Sequence, residues 1–291
     1  MCSEPDLCHT KLLNCANSFL QAIQMFIDAM KNQHNVAAPN ARIVSIVPSL
    51  TELLYDLDLA DQVVGRTIFC IHPDASVKNV TSIGGTKRIN YSKLIELAPD
   101  YVLLNIDENP KAIADELQRR KIKTIITHPT KTLDNIDLYH LIGSIFNRVE
   151  QATALKAAFN TAYMELKLHA DTLPKQRVLY IIWYDPWMSI SANTYIADTL
   201  RQIDWQVIPH KEDVRYPTFN FADLDLNQID LVLFSTEPYS FTQKHITAFC
   251  EQHPTHSAKA HLIDGEMLSW YGSRAIKGLN YLKQYCETLN T

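Results

Sequence analysis

Cys70 and His72 are the pair in this sequence most suited to a transition metal, a thiolate and an imidazole two residues apart. Their isolation argues against that chemistry. An extended loop supplies at most these two ligands, and no second Cys or His cluster follows. The alternative is that the loop shapes a pocket, with Pro73 fixing its exit. Three carboxylates, Glu108, Glu237 and Glu266, could balance nearby arginines or accept from a ligand. Four cations, Arg66, Lys87, Arg215 and Arg274, could hold carboxylate, phosphate or amide oxygens. Internal ion pairs account for these groups equally well. Aromatic residues accompany them: Trp183, Tyr184 and Trp187, then Tyr216 and Tyr239, then Trp270 and Tyr271. Just beyond a strand, an aromatic covers a ligand with large area and little entropy loss. Core packing explains any one of them as well, so the cluster persuades more than its members. Such a mixed set suits a polar ligand with a broad apolar face better than a bare ion. No nucleophile elbow is present. Gly84-Gly85-Thr86-Lys87 lacks the spacing of a phosphate loop. His128, His253 and His256 read as turn or surface residues.

The elements that must position these groups follow an alternating pattern. Residues 1–41 stand apart, with Leu12, Ala16, Phe19 and Ile23 continuing to Ile27 and Met30 on one helical face, then a polar linker. Strands at 43–47, 62–64, 101–105 and 124–127 alternate with helices at 91–97 and 110–120. Ser49 and Glu52 have the spacing of a capping box, and Asn109-Pro110 of a helix start. From 138 to 173 the pattern is helical without a proline; its second half would form a rigid strut. Alternation then resumes, with strands at 177–183, 205–208, 230–235 and 261–263 and helices at 194–203, 242–252 and 275–289. This predicts an α/β fold of two lobes with mostly parallel sheets, at 42–145 and 175–291, joined by one long rigid helix at 146–174. In each lobe a strand delivers a carboxylate-bearing loop, Asp107-Glu108 in one and Glu237 in the other. Ligands bind at that edge of parallel sheets, so two such edges define a cleft.

Several ordered blocks carry a family likeness. Arg42-Ile43-Val44-Ser45 leads into Pro48-Ser49-x-Thr51-Glu52-Leu53; then come Val64-Gly65-Arg66, Gly84-Gly85 and Leu94-Ile95-x-Leu97-x-Pro99-Asp100. Over residues 42 to 289 the chain resembles the iron-chelate and cobalamin periplasmic binding proteins of the class III solute-binding superfamily. It looks closest to a cobalamin-binding-like subgroup of helical-backbone metal receptors, through blocks such as Phe69-Cys70-x-His72-Pro73 and Ser269-Trp270-Tyr271-Gly272-Ser273-Arg274. The resemblance implies capture of a metal chelate between the lobes, a corrinoid first and an iron chelate second, with no cofactor required. It adds Pro48 and Ser49 to the ligand-binding candidates. It also implies a permease partner of an ABC importer, but Ser92 and Ala222 stand where transported members carry docking glutamates, with Asp223 nearby. An enzyme on the same scaffold, using Glu237 or Glu266 with Cys70 or His72 on a small metabolite, is the rival reading.

Composition narrows the field. A net charge of -5 argues against general nucleic-acid binding. No stretch reaches the ~18–20 apolar residues of a membrane span. The six cysteines form no Cys-x-x-Cys pair, which removes zinc knuckles and dithiol redox motifs. Without a leader-like start, the expectation is a cytoplasmic, reducing location. A lipid-anchored or periplasmic protein trimmed to Cys2 is the alternative.

Overall fold

The structure, a computed structural model, describes residues 25–208 and 214–289. The helical face expected between Leu12 and Ile23 lies outside these residues. Its described end is not helical: β1 (Phe26–Ile27) and β2 (Gln33–His34) form a short antiparallel hairpin. Asp28 holds it together, accepting from Met30 N, Asn32 N and Ile126 N at 2.9–3.0 Å. Ala29 N also donates to Ile126 O, so the hairpin is tied to the first sheet.

That sheet comprises β3 (Ile43–Ser45), β4 (Val63–Arg66), β5 (Thr81–Ser82), β6 (Tyr101–Asn105) and β7 (Lys123–Thr127). Its order is β5-β4-β3-β6-β7 and every pairing is parallel. Helices α1 (Pro48–Asp56), α2 (Asp74–Val77), α3 (Tyr91–Glu96) and α4 (Lys111–Arg119) connect the strands. Two expected helix starts differ in detail. Pro48 is already helical and Val47 is the N-cap, so Ser49 lies too far inside to cap. The Asn109 side chain crosslinks loops instead, accepting from Asn105 N and donating to Thr86 O.

The helical stretch divides into α5 (Asp134–Ile145) and α6 (Val149–Ala170). Asn147 adopts φ 53° at the break, and Gly143 permits it, because a Cβ there would lie 2.5 Å from Ala152 Cβ. At 22 residues α6 is about 33 Å long. It is not a free strut. Ala152, Phe159, Ala162, Leu166 and Ala170 are buried along one face, and the helix packs on α5 and on α10 below.

The second sheet contains β8 (Gln176–Trp183), β9 (Met188–Ser189), β10 (Trp205–Val207), β11 (Leu231–Ser235) and β12 (Ala260–Ile263). Its parallel order is β10-β8-β11-β12, with β9 antiparallel on β8. Helices α7 (Tyr195–Arg201), α8 (Gln243–Gln252), α9 (Gly265–Ser269) and α10 (Arg274–Leu289) complete this lobe. One apolar core runs from Ile43, Leu50 and Leu103 through Tyr139 and Phe159 to Tyr180, Leu233 and Leu279. Each lobe adds a smaller core on the outer face of its sheet. The lobes are therefore fused through a shared interior. Among the described residues, no helix is long and apolar enough to cross a membrane.

Candidate functional site

Loops at the C-terminal ends of the two sets of parallel strands meet at a seam. Several links cross it. His72, after β4, places Nε2 2.8 Å from Glu266 Oε2 on α9. Asp107, after β6, pairs with Arg215, whose Nη1 also lies 2.9 Å from His128 Nε2. The Tyr271 hydroxyl donates to Glu108 Oε1 at 2.6 Å. Arg274 Nε donates to Glu52 Oε2 at 2.7 Å, with both side chains buried. Strand direction explains the arrangement: a parallel sheet gathers all its strand-following loops on one rim.

Below the links, a polar network closes the floor. Thr132 donates to Asp198 Oδ2 through its amide and hydroxyl, at 2.7 and 2.9 Å. Gly272, at φ +79°, donates to Asn135 Oδ1 and accepts from the Tyr139 hydroxyl. Its left-handed conformation favours glycine and carries the chain between Trp270-Tyr271 and α10.

The candidates fall into three groups. His72, Glu108, Glu237, Glu266, Trp270, Tyr271 and Arg274 form one cluster at the seam. The Trp270 indole donates to Glu237 Oε2 at 3.0 Å, His72 meets the Trp270 ring edge-on, and Arg274 lies over that ring at 5.3 Å. Burial pushes the Glu108 carboxyl up to about 7, opposed by the Tyr271 hydroxyl bond. Burial, then the neighbouring Glu266, raises Glu237. Tyr271 is held well above the usual phenol range by burial and by Glu108.

A second group flanks the cluster. Lys87, exposed, donates to Asp107 O at 3.2 Å. It sits on a tight turn in which Gly84, at φ +121°, has no room for a Cβ beside Arg88 O; this is not a phosphate loop. Arg215 stacks 5.7 Å over Tyr216, whose hydroxyl is pushed up to about 12 by burial and Asp107. Trp183 and Tyr184 are 39% and 46% exposed and meet Tyr239 at 5.6 and 5.8 Å between ring centres. On the facing lobe, Ile68, Phe69 and Ile71 expose 58%, 52% and 45%. Both apolar patches adjoin the cluster, one through Glu237 and Tyr239, the other through His72.

The third group is not brought to the seam as free functional groups. Cys70 is completely buried and takes hydrogen-bond contacts from Thr51 and Thr67; burial raises its thiol. His72 points away to Glu266, so the two do not share a metal site. The described residues contain no group of three His, Cys, Asp or Glu fit to hold a metal ion. Arg66 is engaged by backbone carbonyls, donating to Val77 O and Thr67 O. Trp187 stacks on Phe241 in the core. Pro48 and Ser49 are buried in the first turn of α1.

Sequence reasoning missed Asp107 as an ion-pair partner, Glu52 as the counterion of Arg274, and His128. His128 directly follows β7, so the rule that strand-following loops build the site would have found it. The Glu52 pairing spans 222 residues and has no local signature.

Two α/β lobes, fused through helices and meeting at opposed loop rims, define a solute-binding architecture. The profile of a family described as periplasmic binding protein matches residues 43–257. Among relatives, a vitamin B12-binding protein of Photorhabdus laumondii is 22% identical over 281 residues, covering 96% of this chain and 98% of the relative. One from Vibrio vulnificus is 25% identical, covering 66% and 70%. An uncharacterized ABC transporter substrate-binding lipoprotein of Bacillus subtilis is 28% identical, covering 51% and 48%. Among solved structures, the periplasmic vitamin B12-binding protein of Vibrio cholerae superposes with TM-score 0.73 at 15% identity, covering 86% of this chain and 98% of that one. Staphylococcus aureus IsdE complexed with heme gives 0.69 at 20% identity, covering 84% and 98%. The chain belongs to the periplasmic binding protein family. The expectation of a cytoplasmic, reducing location is thereby corrected, because these relatives are periplasmic proteins or lipoproteins. Where this sequence begins was no guide to compartment.

Proposed function

We propose that this protein captures a metal chelate between its lobes, a corrinoid first and an iron chelate second, without chemical turnover. The observation that carries this reading is the seam itself: exposed aromatic and aliphatic patches on opposite lobes flank a cluster of carboxylates, cations and phenols. Exposed apolar patches of this kind mark binding surfaces, and a chelate with a flat apolar ring and a polar periphery matches both features. Relatives that bind vitamin B12 or heme support the ligand class. The shared core favours a largely preformed site with small closure. The enzyme reading, which drew on Cys70 or His72, loses Cys70, which is sealed within the first lobe, and His72 is engaged by Glu266. Delivery to an importer is supported by the B. subtilis relative. Ser92 and Ala222, both exposed, argue against docking led by paired glutamates; Asp223 and Glu96 are exposed carboxylates nearby.

Calorimetric titration of the full chain with cobalamin, cobinamide and ferric chelates tests this. Micromolar or tighter binding, weakened by about tenfold or more in Trp270→Ala and Glu237→Ala, is expected. Failure of every chelate to bind a folded protein would reject capture.

A further inference from the structure

Charge at the seam is unevenly neutralised. The guanidinium groups are already matched to carboxylates: Arg274 to Glu52, with Glu266 3.6 Å away, and Arg215 to Asp107. Glu266 also receives His72. Glu108 and Glu237 differ. Each accepts one bond from a neutral group, Tyr271 to Glu108 Oε1 and the Trp270 indole to Glu237 Oε2. Glu108 Oε2 and Glu237 Oε1 take no donor among the described residues, and neither carboxylate is ion-paired. Lys87 acts on Glu108 only from a distance, its ammonium being bonded to a backbone carbonyl. Among the described residues, Arg215 Nη2 and the Ser273 hydroxyl are buried without a partner. These two atoms have left water without gaining a partner among the described residues, a condition that bound ligand atoms relieve.

A carboxylate brought against Glu108 and Glu237 meets repulsion in a partly buried place where salt screens weakly. An amide N–H or an ammonium would instead complete their open oxygens. The upward shift of both groups through burial agrees with this want of a donor. We propose that Glu108 and Glu237 make the cleft selective for chelates whose periphery carries amides or other hydrogen-bond donors, over chelates of the same ring bearing carboxylates. The inference rests on chelate capture and specifies the ligand class that such capture takes.

A matched pair tests it at pH 8, above the value near 7 to which Glu108 is raised. Cobinamide carries amides around its ring; cobyrinic acid carries carboxylates in their place. Full-length protein should bind cobinamide at least about tenfold tighter, ~1.4 kcal/mol. The Glu108→Gln/Glu237→Gln double variant should close most of it by binding cobyrinic acid more tightly, a gain that misfolding cannot produce. Among iron chelates, cationic ferrioxamine B should outbind ferric citrate. If cobyrinic acid binds wild type as tightly as cobinamide does, the selectivity is overturned while capture stands. If no chelate binds, capture fails and the selectivity falls with it.

Discussion

Replacing Arg274 with methionine removes a buried cation while keeping most of the apolar stem. Arg274 and Glu52 are 5% and 4% exposed, with Nε and Oε2 2.7 Å apart. Removing one member of a buried pair leaves the other charge uncompensated, at about 3–5 kcal/mol. Lys277, 61% exposed, also reaches Glu52 Oε1 at 3.1 Å and retains part of the compensation, which points to the lower end, about 3 kcal/mol. Loss of the cation over Trp270 adds roughly 0.5–1 kcal/mol. Guanidinium unfolding of wild type, Arg274→Met, Glu52→Met and the double variant measures this. The shared core predicts one transition with an unchanged denaturant slope. Because methionine at both positions removes the buried pair and leaves only the partly exposed Glu266, still held by His72, the double variant should recover most of the loss, with a coupling of about 2 kcal/mol or more. A single-variant loss below about 1 kcal/mol, or losses that simply add, would refute the reasoning.

Two further predictions concern single groups. Glu108 is raised from 4.5 to about 7 in the folded protein, so its protonated form favours folding. Its stabilising effect is full below pH 4.5 and is lost as pH rises through 7, by at most about 3 kcal/mol. Unfolding of wild type between pH 5 and 8 should show this slope, and Glu108→Gln should flatten it; a variant that keeps the full slope would assign it to other groups. Cys70, sealed behind Thr51 and Thr67 and raised by burial, should resist alkylation in native protein and react once the chain unfolds. Peptide mass spectrometry reads the difference, and rapid native labelling at Cys70 would contradict its burial.

How far the sequence alone could reach varies from element to element. Strand-helix alternation and apolar runs revealed nearly every strand of both sheets, because a buried parallel strand needs a short β-branched stretch whatever surrounds it. The same logic placed Glu108 and Glu237 on strand-following loops. The helical stretch was legible as helix but not as two helices, since its break depends on Gly143 fitting against Ala152 and on Asn147 taking a positive φ. Ser49 and Glu52 had the spacing of a cap, yet Pro48 began the helix one residue earlier and Glu52 found Arg274. Local spacing cannot report a partner from the other lobe.

The sequence by itself determined the alternating architecture, the family likeness and the kinds of side chain gathered at the strand ends, because these depend on local pattern and residue chemistry. Tertiary structure alone decided which charges pair across the seam, which carboxylates keep an open oxygen, and that Cys70 is sealed while His72 reaches Glu266. Those outcomes follow from how two rims meet through a shared core, and hydrogen bonding and burial act over ångströms in space, whatever the separation along the chain.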